Sequence, residues 1–223
     1  MPKNKNIGAF APMQSWRHYQ IRYREDMHRL AGWAQAASPG LFLRELMSRP
    51  ESVGAVLPSS RQLAWRMAAQ VPVAGEGLVV ELGAGTGSVT QALLDRGIAA
   101  DRLWIVEQSP AFVQHLRHRF PALTIIGADA AGLESLLPAN RRVDAVVSSL
   151  PLRSLPVDEV AAVLEQCRRC LPAGGRLVQY TYALWGHGGG SFSGFVEETG
   201  QYAWWNMPPA RIRTFRRSGP GAG

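Results

Sequence analysis

Cysteine, lysine and long apolar runs are what this 223-residue chain has least of. Its two cysteines, Cys167 and Cys170, form a lone C-x-x-C. Zinc needs four ligands, and no second pair or suitably spaced histidine pair stands nearby, so both read as structural thiols and no metal site is expected. No apolar run approaches the ~20 residues of a membrane-spanning helix. The polar start Met1-Pro2-Lys3-Asn4-Lys5 does not resemble a signal peptide, and the expectation is a cytosolic or peripheral protein. Acid is also scarce: 17 Asp and Glu face 24 Lys and Arg, of which only Lys3 and Lys5 are lysines, for a net charge of +7. That excess predicts an anionic partner, which RNA and an anionic membrane surface satisfy equally.

What is present is enough for one buried core. Apolar residues make up 46% of the chain, which suits a single α/β domain with an N-terminal extension. The domain is organised around Val79-Val80-Glu81-Leu82-Gly83-Ala84-Gly85-Thr86-Gly87-Ser88. Leu78 to Leu82 suits a buried parallel strand, and VTQALLDR from Val89 has apolar residues at helical spacing. Gly83, Gly85 and Gly87 therefore lie between strand and helix, where a side chain would block the turn or hold the backbone away from a ligand.

A dinucleotide site requires G-x-G-x-x-G, and the order here is G-x-G-x-G. Glu81 at the strand end would repel a pyrophosphate but suits the amino group of a cationic amino-acid ligand. That chemistry points to S-adenosylmethionine. Glu107 ends the next apolar run, where a carboxylate can accept both ribose hydroxyls, with Gln108 beside it. Asp129 follows a third run and suits the adenine amino group, with the backbone of Ala130 adjacent. Strand-end acids in this order, from Gly77 to about Tyr182, resemble the class I S-adenosylmethionine-dependent methyltransferases.

Before the glycine loop, Trp16, Tyr19, Tyr23, Met27, Leu30, Trp33 and Ala37 recur at helical spacing, with Arg17, His18, Arg22, Arg24 and Arg29 around the rest. Such a basic amphipathic helix can lie in a bilayer interface or pack on its own domain. Ser38-Pro39-Gly40 ends it, giving an extension over 1–37, a catalytic domain over 38–217 and a loose tail over 218–223. Ser59 and Ser60 open a further helix, as its cap or as donors to the carboxylate of the bound methionine. From Gly77 strands alternate with helices: strands near 78–82, 102–107, 123–127, 143–148 and 175–183, helices over 88–96, 109–119, 131–137 and 157–171. Residues 202–206 and 211–217 read as two closing strands, after a glycine-rich loop at 186–194.

Ser148-Ser149-Leu150-Pro151-Leu152-Arg153-Ser154-Leu155-Pro156 stands where many class I enzymes display a substrate-facing loop. Enzymes that methylate planar base amines carry there an Asn or Asp, a Pro-Pro or Leu-Pro, and an aromatic that stacks on the base. Here Ser149 replaces the amide and Leu152 the aromatic, which favours a small aliphatic amine. Together with VGAVLPSSRQLA, VVELGAGTGSVT, QYTYA at 179–183 and WNMPPARI at 205–212, the loop resembles the small bacterial phospholipid N-methyltransferases over about residues 41–217.

That resemblance implies a Rossmann-like fold with a mostly parallel seven-stranded sheet and helices on both faces. It implies methylation of phosphatidylethanolamine toward phosphatidylcholine at the inner face of the cytoplasmic membrane. S-adenosylmethionine would be held by Ser59, Ser60, Glu81, Gly83, Gly85, Gly87, Glu107, Gln108, Asp129, Ala130 and Ser148. Ser149, Tyr180 and Tyr182 become candidates to orient the amine and its departing proton. Leu150, Arg153 and Arg211, with both tyrosines, become candidates for the lipid headgroup, the arginines for its phosphate. A phospholipid and an anionic membrane are the expected partners, with no nucleic acid and a monomer favoured. The alternative is an rRNA adenine N6-methyltransferase, which shares the glycine loop but not SSLPLRSLP.

Overall fold

In the computed structural model, residues 58–152, 155–182, 192–203 and 210–219 are described. The extension over 1–37, Arg153 and the loop at 186–191 lie outside them.

The central apolar runs become strands because they are buried on two faces, while the edge run Thr124–Gly127 is exposed at both ends. β1 (Leu78–Leu82) is buried at every position. It pairs in parallel with β2 (Leu103–Glu107) on one side and β4 (Val143–Ser148) on the other. β3 (Thr124–Gly127) extends the sheet beyond β2, and β5 (Arg176–Tyr182) extends it beyond β4, both in parallel. β7 (Ala210–Arg217) is antiparallel to β5, and β6 (Phe195–Ala203) is antiparallel to β7. The seven-stranded order is β3-β2-β1-β4-β5-β7-β6. It reverses direction of growth between β1 and β4, which is where open α/β sheets form a crevice at their strand ends.

Strand alternation divides the core into two layers. Val79, Ile105, Ala145, Val147, Val178 and Ile212 pack against α1 (Pro58–Ala68), α2 (Ser88–Asp95) and α3 (Pro110–Arg119). Leu78, Val80, Leu82, Val146, Leu177 and Phe215 face α4 (Leu133–Leu136) and α5 (Val157–Cys170). Leu93, Leu116 and Leu133 are fully buried, and each contributes about 1.5–3 kcal/mol of apolar transfer. Cys167 sits in the second layer, both thiols are free, and burial pushes them up to about 12 (Cys167) and about 11 (Cys170). The reading of them as structural thiols agrees with this placement.

The end of the sheet opposite the strand C-termini is closed by a buried ion pair. Arg102 meets Asp144 at 3.3 Å and donates to the carbonyls of Gly77 and Val73 at 2.8 and 2.9 Å. Asp144 also accepts the Gly77 N–H at 2.9 Å. It meets Arg142 at 2.7 Å as well, and removing Asp144 would leave the buried Arg102 without a counter-ion, so this cluster fixes the entry to β1 and β2.

The expected boundaries from 78 to 182 hold to within a residue or two, except that 131–137 is a 3-10 turn over 130–132 followed by α4. The penultimate strand is a correction: among the described residues it runs over Phe195–Ala203, beginning well before the expected start at 202. Phe195-Val196-Glu197-Glu198-Thr199-Gly200 has too much charge to read as a strand on its own. In the sheet, Glu197 meets Arg211 at 3.0 Å and Arg213 at 2.7 Å, and Glu198 meets Arg216 at 3.0 Å. A bulge between Glu197 and Thr199 lets these neighbouring acids reach different arginines.

Candidate active site

Glu81, Glu107 and the glycine loop come together where β1 and β2 end, and Asp129 follows the end of the neighbouring β3. All three loop glycines have positive φ, at +68° for Gly83, +56° for Gly85 and +81° for Gly87, a region that side-chain-bearing residues avoid. Beyond that shared geometry their roles differ. A Cβ on Gly83 would lie 2.6 Å from the Leu150 side chain, so this glycine lets the loop after β4 close over the end of β1. A Cβ on Gly87 would lie 2.5 Å from the Phe120 ring, so this one seats α2 against the end of α3. At Gly85 a Cβ would meet nothing within 4 Å, so the crown of the loop faces open space.

Glu107 organises that crown. One carboxylate oxygen accepts the Gly85 N–H at 2.9 Å and the other accepts the Ser109 N–H at 2.9 Å. Each oxygen keeps a further lone pair for a hydroxyl. Glu81 is completely buried, accepts the Thr90 hydroxyl at 2.6 Å through one oxygen, and has no partner on the other. Burial pushes its carboxyl up to about 7, with the Thr90 hydrogen bond opposing and the charge of Glu107 adding to the rise. A buried orphan acceptor of this kind is costly unless a donor meets it.

Asp129 is exposed and its carboxylate accepts the Ala131 N–H at 2.8 Å, capping the 3-10 turn, while Ala130 is buried beside it. Gln108 is exposed and lines a hollow of about 430 Å³ with Pro110, Val113, Gln114, Arg117 and Gly127. No residue of the glycine loop lines that hollow, which opens past the ends of β2 and β3. Ser59 and Ser60 fall in the first turn of α1; their side chains, like that of Tyr182, are outside what is described.

The loop after β4 starts from Ser148, buried at 1% exposure, whose hydroxyl lies 3.4 Å from the Leu150 N–H. Ser149 donates its N–H to the Leu82 carbonyl at 2.9 Å, and its buried hydroxyl has no partner. Tyr180 packs partly buried against the first core layer near the end of β5. Arg211 pairs across the sheet with Thr181, at the same end, and holds Glu197 while its guanidinium lies 5.8 Å from the centre of the Tyr202 ring.

Several positions that shape the site were not singled out from the sequence. Thr90 sits a turn into α2, where a threonine reads as an ordinary helix residue. Arg119 donates to the Thr86 carbonyl at 2.7 Å, bracing the glycine loop from the end of α3. Gln179 lies inside a strand with no local pattern to mark it.

A methyltransferase-domain family model matches residues 79–175, the span from β1 to just before β5. The fold is shared with solved methyltransferase structures. An N-methyltransferase, NodS from Bradyrhizobium japonicum WM9 in complex with S-adenosylhomocysteine, is 15% identical with a TM-score of 0.62, over 82% of this chain and 100% of that one. The magnesium protoporphyrin IX methyltransferase of Synechocystis PCC 6803 with bound S-adenosylmethionine is 17% identical with a TM-score of 0.57, over 72% and 80%. The chain therefore carries a methyltransferase domain over 79–175 on the Rossmann-like fold of class I methyltransferases, and such a domain implies S-adenosylmethionine as its cofactor. Among curated proteins, the chain is similar to the ornithine lipid N-methyltransferase of Singulisphaera acidiphila, at 29% identity over 175 residues, 76% of this chain and 91% of that one.

The residues present fit the cofactor. The open crown at Gly85 leaves room beside the backbone, the orphan oxygen of Glu81 suits an ammonium, and Glu107 keeps acceptor capacity for hydroxyls.

Proposed function

We propose that the protein methylates the headgroup amine of phosphatidylethanolamine, in steps toward phosphatidylcholine, at a membrane surface. The observation that carries this reading is the similarity to a lipid N-methyltransferase over 76% of the chain. The 175 residues of that similarity exceed the span 79–175 that the methyltransferase-domain model matches. The loop Ser149–Leu152 supports it, because it offers neither the amide nor the aromatic that grips a flat base.

The cofactor supplies an electrophilic methyl group on a sulfonium. The protein must present a neutral nitrogen in line with it and keep water away. A headgroup ammonium has a pKa near ~10, like lysine, so its proton has to leave before transfer. The unpartnered hydroxyl of Ser149 can accept a hydrogen bond from the nitrogen, and the Tyr180 and Tyr182 hydroxyls are the candidates to relay the proton. Arg211 keeps N–H donors beyond those facing Glu197, and its Nε has no partner, which suits a phosphate oxygen at this end of the sheet. The basic segment before Ser38 would hold the domain at the cytoplasmic leaflet.

The test is methyl transfer from labelled cofactor by the full chain to vesicles of anionic lipid containing phosphatidylethanolamine, with ornithine-lipid vesicles and ribosomal RNA as parallel acceptors. Labelled mono- and dimethylated phosphatidylethanolamine is the expected product. Labelling of ornithine lipid alone would move the substrate to that lipid, and labelling of RNA alone would overturn the reading.

A further inference from the structure

Gln179, buried at 1% exposure, lies within β5 as the register neighbour of Ser148, the last residue of β4. Its Nε2 donates to the Leu150 carbonyl at 2.9 Å and to the Tyr180 carbonyl at 2.7 Å. The opposite orientation of the amide would place three acceptors together, so the NH2 faces the two carbonyls. The Leu150 carbonyl also accepts the Leu152 N–H at 2.9 Å, closing a three-residue turn over Pro151. Both lone pairs of that oxygen are then engaged. The Ser149 hydroxyl beside it is buried without a partner.

We infer that Gln179 is a positioning and specificity-determining residue: it withdraws the Leu150 carbonyl from substrate recognition and leaves the Ser149 hydroxyl as the unpartnered side-chain acceptor among the described residues of the loop. This rests on the proposed function in one respect, that the loop faces an amine. A flat exocyclic amine needs two in-plane acceptors, a side chain and a backbone carbonyl, and here the carbonyl is taken. An aliphatic amine about to be methylated needs one. The bond to the Leu150 carbonyl ties the substrate loop to the strand that carries Tyr180 and Tyr182, while the bond to the Tyr180 carbonyl holds the amide against its own strand, so the acceptor and the candidate proton relay share one anchor.

The test compares Gln179→Met, which cannot donate, and Gln179→Glu, which donates only when protonated, with the wild-type chain. Amide exchange at Leu150 to Leu152, cofactor affinity, and kcat and KM on phosphatidylethanolamine vesicles are measured for each. Gln179→Met should speed exchange of the Leu152 amide and lower kcat by roughly tenfold to a hundredfold, with KM and cofactor affinity within about twofold. Gln179→Glu should do the same at alkaline pH and recover as pH falls, because its carboxylate faces two carbonyls until it takes up a proton. Wild-type exchange and turnover in both variants would overturn the inference. So would a loss of turnover that merely follows cofactor affinity, or a Gln179→Glu pH profile identical to wild type. A wild-type chain inactive on phosphatidylethanolamine would instead overturn the proposed substrate, while the exchange comparison would still decide whether Gln179 holds the loop.

Discussion

Glu107 accepts the backbone N–H of Gly85 at 2.9 Å across 22 residues, tying the end of β2 to the crown of the loop that leaves β1. The acid expected to hold ribose hydroxyls also sets the shape of the glycine turn before any ligand arrives. Preorganisation of this kind lowers the ordering cost of binding.

Glu107→Ala should therefore weaken cofactor binding and lower the melting temperature together, since it removes charge-assisted hydrogen bonds worth ~1.5–3 kcal/mol each to Gly85 and Ser109. Asp129→Ala should weaken cofactor binding with little change in melting, because its one structural bond caps an exposed turn. Calorimetric titration with thermal melts checks both.

Burial raises the Glu81 carboxyl from 4.5 to about 7. A raised folded pKa means that the native state holds the proton more tightly than the unfolded chain, so stability of the cofactor-free domain falls as pH climbs between these values. An ammonium against the ionised oxygen favours the opposite change, so cofactor affinity should rise over the same window and level off above about 7. Glu81→Gln should flatten both curves. Melting and calorimetry at pH ~5.5 and ~8 test the sign.

The glycines should separate by role. Gly87→Ala places a methyl 2.5 Å from Phe120 at φ +81°, and should cost about 1–3 kcal/mol for the clash on top of about 1–2 for the backbone. Gly85→Ala should cost only the backbone part, since nothing lies within 4 Å, yet lower cofactor affinity more than its stability. Denaturant unfolding and titration of the two variants distinguish them.

Thiol reactivity offers a check on the second core layer. With Cys167 pushed up to about 12 by burial, its alkylation near pH 8 should be slow and should track the unfolding rate. Half-buried Cys170, at about 11, should react faster but well below a free thiol. Mass-resolved alkylation kinetics measure both.

Deletion of residues 1–37 should cut sedimentation with anionic vesicles and turnover on bilayers while leaving cofactor affinity unchanged. Salt should weaken vesicle binding of the full chain only in part, since Trp16, Tyr19 and Trp33 would contribute without charge. Unchanged vesicle binding after deletion, with a lower melting temperature, would place the helix on its own domain.

Much of the site was readable because it is local. The strand from Leu78, the glycines and the helix from Ser88 lie in one continuous stretch, and each strand-end acid closes its own apolar run. β6 was misplaced because its acids are satisfied by arginines in the following strand, a partnership that exists only once β7 is laid beside it. Gln179 was visible only as part of QYTYA, and its role was not legible because its partners, Leu150 and Tyr180, are carbonyls, which every residue possesses.

The sequence by itself determined the order of strands and helices, the turn that demands glycine, and the strand-end acids proposed to meet a cationic nucleoside ligand. These follow from side-chain periodicity and charge along the chain, which no distant contact alters. Tertiary structure alone decided which glycine meets Leu150, which meets Phe120 and which stays open. It also decided that Glu81 lacks one partner and that the Leu150 carbonyl has two. Burial and hydrogen-bond satisfaction are properties of what packs alongside, and residues far apart in the chain supply it.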